Sequence, residues 1–442
     1  MKVIADLHIH SPFSSGTSRS ISLERLVHFA THKGVNLLGT GDFLQPRWLK
    51  ECKKTLQELD VVPGIYQMDP GRKVFFLVAG EVSVCFETQN KSKKIHILIL
   101  CSDFAVAEQL QSRLRRFGDL EDGRPELDLT PPELVELVKE TDQNAELVPC
   151  HIFTSWYSVL GQHGFDCLQD CFEDKTKDLL ALETGLSADP LMAFRISELD
   201  AFPLISNSDL HSPWPYRLGR EANVFELEEL SYYHVRDAIK QRDPTHFRFT
   251  LELDPRLGKY YHTGHRKDRK YRIRVKRNRQ GSWENQWIPH EHDVIFTDPK
   301  LAMACGNLCP CGQKLTIGVL QRVEELADRE MGYIPLNIIP FKTVIPLMEI
   351  ISKTTHAGLF SKLLWDKYVR LTRTFGNELN VLLSVPYESL RVTAGNKLSE
   401  AILRVREGRI TISPGFDGVY GTLNILSNTE LAQDSKKSSQ KS

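Results

Sequence analysis

Near the start of the chain, the run DLHIH places His8 and His10 two residues apart. Side chains alternate along an extended strand, so both imidazoles share one face, where they can bind one cation while Leu7 and Ile9 pack behind. A His-x-His pair alone is equally what a buried or surface histidine pair looks like, so its meaning depends on the rest of the chain. Apolar runs end repeatedly in ligand-type residues: LLGTGD in Asp42, FFLVAGE in Glu81, LVPCH in His151, and LISNSDLH in Asp209 and His211. His96 opens its run, IHILIL, instead of closing it. A helix cap or a satisfied core histidine explains any one of these positions but not the set. Nitrogen and oxygen donors without thiolate suit Zn, Mn or Fe(II) better than Mg or Ca. Several such ions held close together would activate water, neutralise phosphate oxygens and stabilise a leaving oxygen, so phosphate-ester hydrolysis is the natural chemistry.

Those residues need elements to position them. From residue 1 to about 245, short apolar runs (VIADL, VNLLG, VFFLVAG, IHILILC, ELVPCHI, LLALE, PLISNS) alternate with stretches such as SLERLVHFATHKG and PPELVELVKET. The latter repeat apolar residues at three and four, the helical period. Gly34 and Gly118 stand where helix C-caps belong, and Pro131 and Pro132 where a helix begins. Strand followed by helix, repeated this often, predicts an α/β fold with a parallel sheet, open or closed into a barrel. Ligands at the C-terminal ends of several barrel strands converge on one mouth.

Composition narrows the class. Lys and Arg number 56 against 57 Asp and Glu, which excludes a globally basic nucleic-acid coat but not a local basic face. No apolar span reaches the ~20 residues that a membrane helix needs. Nine scattered cysteines make no disulfide framework in a chain of this length, and they point to a reducing, cytoplasmic compartment.

DLHIHS, GTGDF, GEVS, IHIL, PCHIF and SNSDLHS resemble the metal motifs of the PHP superfamily of phosphoesterases. ALETGLSADP, LGREANVF, YYHTGHRK, CGQKLTIGVLQRVEELADRE and PGFDGVYG extend the match, and together the segments resemble the endonuclease Q family over nearly the whole chain. That resemblance implies a PHP-type distorted seven-stranded (β/α) barrel over 1–245. Composition changes near 246, which predicts a separate basic module over 246–330, zinc-binding by the resemblance, then a mixed, largely helical region over 331–428 and a Ser-, Lys- and Gln-rich disordered tail over 429–442. The resemblance implies two or three divalent ions (Zn, Mn or Mg). His8, His10, Glu81 and Asp209 would hold one, Glu81 would bridge to a second on His96 and His151, and Asp42 and His211 would serve a third. Ser14, Ser15 and Phe43 stand where related phosphatases carry more histidines, so a two-ion enzyme with a labile third position is a live alternative. The implied activity is a nick 5′ to uracil, hypoxanthine, xanthine or an abasic site in damaged DNA, with Glu81, Asp209 and His211 as the catalytic group. A histidinol-phosphate type phosphatase and a non-catalytic damage-binding protein are the rivals.

Family members usually carry a four-cysteine zinc site. Here the group reads CGNLCPCG, so Cys305, Cys309 and Cys311 need a fourth donor from among His262, His265, Asp268, His290 and His292. Residues 266–279 hold nine Lys or Arg in fourteen positions. Arg266, Lys267, Arg269, Lys270, Arg272, Arg274 and Lys276 would follow a phosphate backbone, unless the segment is a charged edge strand. Phe153, Trp156 and Tyr157 follow His151 and could wall a pocket for an extrahelical base. Trp214 and Tyr216, in what resembles a short insertion, follow His211. The tail lacks paired aromatics, so no sliding-clamp peptide is expected.

Overall fold

The computed structural model describes residues 1–425 apart from 60–61, 89, 268–269, 278–281 and 290–292; the tail and Arg269 lie outside the described residues. In chain order the strands that build the main sheets are β1 (Lys2–Asp6), β2 (Leu37–Gly39), β3 (Gln57–Leu59), β4 (Val62–Gln67), β5 (Phe75–Leu77), β6 (Ala79–Thr88), β7 (Lys91–Leu100), β8 (Glu126–Leu127), β9 (Glu146–Pro149), β10 (Leu182–Glu183), β11 (Leu204–Ile205), β12 (Ala222–Glu226) and β13 (Phe247–Leu253). Beyond them come β14 (Thr263–His265), β15 (Lys270–Arg277), β16 (Ser282–Pro289), β17 (Val294–Phe296) and β18 (Phe341–Val344). The central sheet has eight strands in the order β18-β13-β12-β1-β2-β5-β4-β3, a second has four in the order β8-β6-β7-β9, and β10 pairs with β11.

The fold is α/β, as expected, but the hydrogen-bonded ladder does not close into a seven-stranded barrel. Side-chain amides stand in for backbone pairs at one seam. The Leu7 N–H donates to Asn207 Oδ1 (2.8 Å), and the Asn223 amide donates to Ser206 O (2.9 Å) and Asn207 Oδ1 (3.0 Å). At another seam β9 and β10 meet only through flanking bonds, Leu180 N–H to Leu147 O and Ile152 N–H to Glu183 O, both 3.0 Å. The apolar run VFFLVAG serves two sheets, β5 pairing with β2 and β6 with β7, on either side of Val78.

Local signals explain the flanking helices. Ser22 caps the helix Leu23–Lys33 by accepting from the Arg25 N–H, and Gly34 ends it. Thr130 and Glu133 form a reciprocal capping box at the helix Pro131–Thr141, which starts at the expected prolines. Gly118 is extended (φ 179) and follows a short 3-10 turn; a Cβ there would stand 2.2 Å from Glu126 O, so close approach explains this glycine.

Beyond residue 245 the central sheet continues through β13, which pairs in parallel with β18. Arg322, on the helix Val319–Leu326, donates to Leu160 O and Phe165 O (2.8 Å each) and so pins that helix to the sheet domain. The C-terminal helices enclose their own core around Leu347, Ile351, Leu364, Tyr368 and Ile402. Lys33 joins them to the sheet domain: its buried ammonium donates to Glu378 Oε1 (2.8 Å) and Pro215 O (2.9 Å). Glu378 also accepts from the Leu347 N–H and the Tyr368 hydroxyl, both 2.9 Å. Among the described residues no helix is long and apolar enough to cross a membrane.

Glu252, on β13, is fully buried and accepts from the Ser206, Thr250 and Thr184 hydroxyls. Burial pushes its pKa up to about 7 against those donors. An unfolded glutamate titrates near ~4.3, so the folded state keeps a proton that the unfolded state loses between there and pH 7. Stability should therefore fall as pH rises through that window, by about 3 kcal/mol from this group. Glu252→Gln, which keeps the hydrogen bonds without the charge, should lose correspondingly less between pH 5 and pH 8 in urea unfolding. Parallel losses in the two proteins would contradict this account.

Candidate metal centre

The regular part of β1 stops at Asp6, but the chain stays extended. Ile9 bridges Leu210 in parallel and the His10 N–H donates to Leu210 O (3.1 Å), so His8 and His10 stay on one face. Glu81 lies inside β6 and His96 inside β7, where His96 pairs across the ladder with Ser83. Asp42, His151 and Asp209 come just after β2, β9 and β11 and have left-handed backbones (φ 41, 33 and 45). That region costs a non-glycine residue roughly 1–3 kcal/mol and is found where surrounding structure imposes it. Here it turns the chain sharply at all three positions, and the imidazoles of the centre gather at one point.

That point is Glu81. Its Oε1 lies 2.8 Å from His96 Nδ1, 3.3 Å from His151 Nε2 and 3.6 Å from His8 Nε2. Its Oε2 lies 3.4 Å from His10 Nε2 and 3.2 Å from Arg124 Nη1. Asp209 Oδ1 is 3.2 Å from His10 Nε2 and 3.8 Å from His8 Nε2. Two donor sets result, His8 with His10 and Asp209, and Glu81 with His96 and His151, each with its donor atoms within 4.8 Å of one another. His8 Nε2, Glu81 Oε1 and His96 Nδ1 are buried without a hydrogen-bond partner despite these short separations. Buried polar atoms are rarely left so, and atoms aimed at one another without hydrogen-bond geometry are what a shared cation requires. The residues present fit two ions joined by Glu81. Cys150 also comes within 4.8 Å of the His8 and Glu81 donors, a thiol the sequence reading did not include; burial holds its pKa well above the ordinary value.

A second layer of carboxylates sets the rings. Both oxygens of Glu183 lie 3.0 Å from His8 Nδ1, and Glu183 also accepts from the His151 N–H and the Asn207 amide, 2.9 Å each. Asp42 treats His10 likewise: Oδ1 lies 3.0 Å from His10 Nδ1, while Oδ2 accepts from the Ser11 N–H (2.6 Å) and the Ser14 hydroxyl (2.7 Å). Such partners fix the tautomer and orientation of a ligating imidazole. Of the residues expected at a third site, neither Asp42 nor His211 is in the donor groups among the described residues, and both Asp42 oxygens are engaged by His10, Ser11 and Ser14. His211 sits instead with Nδ1 3.0 Å from Asp209 O and 3.4 Å from Asp209 Oδ1. Glu183 and Arg124 were absent from the sequence-derived set. Glu183 closes the apolar run LLALE as the other ligands close theirs, whereas Arg124 stands in a loop with no such signal.

Burial and the neighbouring charges shift the imidazoles of the cluster in opposite directions. Burial alone would depress His10, yet Asp42, Asp209 and Glu81 carry its pKa up to about 9. Burial drives His96 down to about 4 against the pull of Glu81. Burial likewise opposes ionisation of Glu81, but His96, His8, Arg124 and His151 hold it well below the usual carboxylate range. Cation binding must displace protons from such imidazoles, so affinity should weaken as pH falls.

Of the three aromatics expected to wall a pocket, Phe153 is fully buried in the core and Trp156 stacks on His163 (4.2 Å). Tyr157 alone lies against the centre, parallel to the His96 ring at 4.9 Å. It borders a cavity of about 430 Å³ with His96, Arg124, Ser15, Ser83, Asp122 and Glu126. Trp214 packs against Phe29 and Trp365, and Tyr216 against Phe360, toward the C-terminal helices.

In the module, His265, Cys309 and Cys311 bring donor atoms within 4.8 Å. Cys305 is exposed and outside that group, held as the C-cap of the helix Pro299–Ala304. Asp268, His290 and His292 lie outside the described residues. The Arg266 and Lys267 backbones donate to Asp417 (3.0 Å) and Asp293 (2.8 Å). On β15, Lys270, Arg272, Arg274 and Lys276 alternate opposite Pro289, Trp287, Asn285 and Trp283 of β16.

A family model described as the MJ0043 C-terminal domain matches residues 346–409. The crystal structure of the lesion-specific endonuclease PfuEndoQ from Pyrococcus furiosus superposes with a TM-score of 0.80 at 31% identity, covering 98% of this chain and 99% of that one. The chain belongs to the endonuclease Q family. An Endonuclease Q complex with a 27-mer duplex carrying an abasic lesion at the active site matches at 32% identity and TM-score 0.81, over 97% of each chain. Uncharacterized protein YqxK of Bacillus subtilis is 28% identical over 96% of this chain and 99% of its own length. Uncharacterized protein MJ0043 of Methanocaldococcus jannaschii is 34% identical over 62% of this chain, which spans only 31% of that protein.

If Glu183 orients His8 for cation binding, Glu183→Ala should weaken divalent-cation binding ~10–100-fold. Calorimetric titration with Mn tests this; unchanged affinity would remove Glu183 from the site's support.

Proposed function

We propose that this chain is a metal-dependent DNA repair endonuclease that hydrolyses the phosphodiester 5′ to uracil, hypoxanthine, xanthine or an abasic site. The observation that carries the reading is the pair of donor sets packed around Glu81 beside a cavity bordered by Tyr157. The abasic duplex in the related Endonuclease Q complex supports damaged DNA as the substrate.

When bound, two divalent cations supply Lewis-acid polarisation of the phosphate and acidification of a water. The chain's own residues do the rest. Glu81 is the shared anchor, and His8, His10, Asp209, His96 and His151 complete the two donor sets. His211 Nδ1 faces the carbonyl of Asp209, an acceptor only, so that nitrogen carries the hydrogen and Nε2 is left as a proton acceptor. Asp209 pulls the His211 pKa upward, but burial and His10 together hold it below the ordinary value, favouring the neutral ring. Nε2 takes a proton from the attacking water as its oxygen bonds to phosphorus, the P–O3′ bond breaks with its electron pair on O3′, and O3′ takes a proton from solvent, to which His211 returns its own. The products are a 3′-hydroxyl and a 5′-phosphate.

An enzyme that reads one altered base needs it out of the stack. In the cavity, Tyr157 offers a stacking face, Asp122 and Glu126 offer acceptors, and the Ser15 and Ser83 hydroxyls can donate. Deaminated bases carry a ring N–H beside a carbonyl, whereas adenine and cytosine carry a bare ring nitrogen beside an amino group. A carboxylate accepts from the first and repels the second. The thymine methyl and the guanine 2-amino group must be excluded by shape. Arg266, Lys267, Arg269, Lys270, Arg272, Arg274 and Lys276 would follow the phosphates, which predicts steep weakening of binding as salt rises. His265, Cys309 and Cys311 would hold a structural zinc with a fourth donor.

Mn- or Mg-loaded protein should nick end-labelled duplexes once, 5′ to uracil or hypoxanthine, and leave the normal duplex whole. EDTA or Asp209→Ala should abolish cleavage, the variant keeping duplex affinity. Hydrolysis of a small phosphomonoester with no duplex cut would transfer the reading to the phosphatase rival. Native mass spectrometry should find one zinc that is lost in Cys309→Ser and His265→Ala but kept in Cys305→Ser. Retention in all three would leave the module without this site.

A further inference from the structure

We propose that Arg124 takes the part a third cation was expected to play, gripping a non-bridging oxygen of the scissile phosphate beside a two-ion centre. The inference rests on the phosphodiesterase reading of the same site. Asp42, the carboxylate expected to hold that ion, is buried with its oxygens committed to His10, Ser11 and Ser14. Backbone closes over it from the other side. The Gly123 N–H donates to Phe13 O (3.1 Å), and a Cβ on Gly123 would stand 2.4 Å from both Asp42 Oδ2 and Ser14 Oγ. Contact that close is possible only without a side chain, and it leaves no space for a cation at Oδ2.

The next residue is the arginine. Its N–H is fixed by Asp122 Oδ1 (2.9 Å), and the carbonyl of the following Pro125 accepts from the Ser83 N–H (3.0 Å), two residues beyond Glu81 on β6. The side chain, 22% exposed, turns inward to place Nη1 3.2 Å from Glu81 Oε2. It borders the same cavity as His96 and Tyr157. A permanent positive charge therefore sits between the carboxylate shared by the two donor sets and the space a substrate would enter. Guanidinium presents five donors in a planar fork suited to phosphate, and Glu81 engages one of its nitrogens. During in-line displacement charge spreads over the non-bridging oxygens, and a fixed donor placed there stabilises the transition state without reorganisation. Unlike an ion, it cannot dissociate, so activity should saturate once two sites are filled.

The test combines a metal count with kinetics. Wild type loaded with Mn should bind two Mn ions per chain by native mass spectrometry, and Arg124→Ala should still bind two. Single-turnover nicking of a uracil duplex by Arg124→Ala should fall ~10²–10³-fold, as for loss of one transition-state donor. Duplex binding should lose about one unit of salt slope, as for one phosphate contact. Arg124→Lys should be intermediate, and guanidinium chloride at millimolar concentration should partly restore Arg124→Ala without affecting wild type. Three Mn ions on wild type, loss of an ion in Arg124→Ala, or nicking by that variant at the wild-type rate would each overturn the proposal. Bis(p-nitrophenyl) phosphate separates the two layers of inference. If wild type hydrolyses this ester but nicks no lesion, the repair reading falls and Arg124 is judged by the same rate ratio on the ester. Inactivity on both overturns both.

Discussion

A carboxylate with no access to water, surrounded by four imidazoles and a guanidinium, is the constraint around which this protein is arranged. Burying an ionised Glu81 is tolerable only if opposite charge is held close and held still. His8 and His10 come from the extension of β1 in the central sheet, His96 from within the four-stranded sheet and His151 from the turn that follows it, so the two sheets must be held in fixed positions relative to each other at this point. The unclosed ladder is compatible with this. Asn207 and Asn223 carry the seam by side chain, and the chain beyond β11 turns sharply at Asp209 between that seam and the Leu210 bridge to Ile9.

The centre is layered in charge. Carboxylates alternate with imidazoles outward from Glu81, through His8 to Glu183 and through His10 to Asp42. Each outer carboxylate is in turn satisfied by backbone N–H or side-chain donors, so the inner rings cannot rotate away without breaking several bonds. The raised pKa values of His10 and His151 are the counterpart of this layering, because the carboxylates around these two rings favour positive charge there. The C-terminal helices share in the arrangement at a distance. Lys33 ties Glu378 to the carbonyl of Pro215, in the segment that follows His211. Breaking one partner of such a buried pair costs about 3–5 kcal/mol, enough to loosen that segment.

Much of this was legible in the sequence because it is local. Period-two spacing places His8 and His10 on one face wherever the strand goes, and apolar runs ending in Asp42, His151 and Asp209 mark where strands stop and polar side chains become available, whereas Glu81 closes its apolar run inside β6. Residue type identifies nitrogen and oxygen donors, hence the class of ion, and the alternation of strand and helix determines an α/β architecture. Roles within the site were decided by tertiary structure alone. Asp42 and Glu183 look alike in the sequence to other strand-end carboxylates, yet each faces the Nδ1 side of a histidine, the side away from the centre, and so supports a ligand. Arg124 carried no pattern, since its position depends on Gly123 touching Asp42 from a loop 81 residues further along the chain. The replacement of Cys305 by His265 beside Cys309 and Cys311 likewise depends on a helix end and on a strand some forty residues earlier. Sequence determines which atoms are offered; only the folded chain, by bringing distant segments within hydrogen-bonding distance, decides which of them face one another.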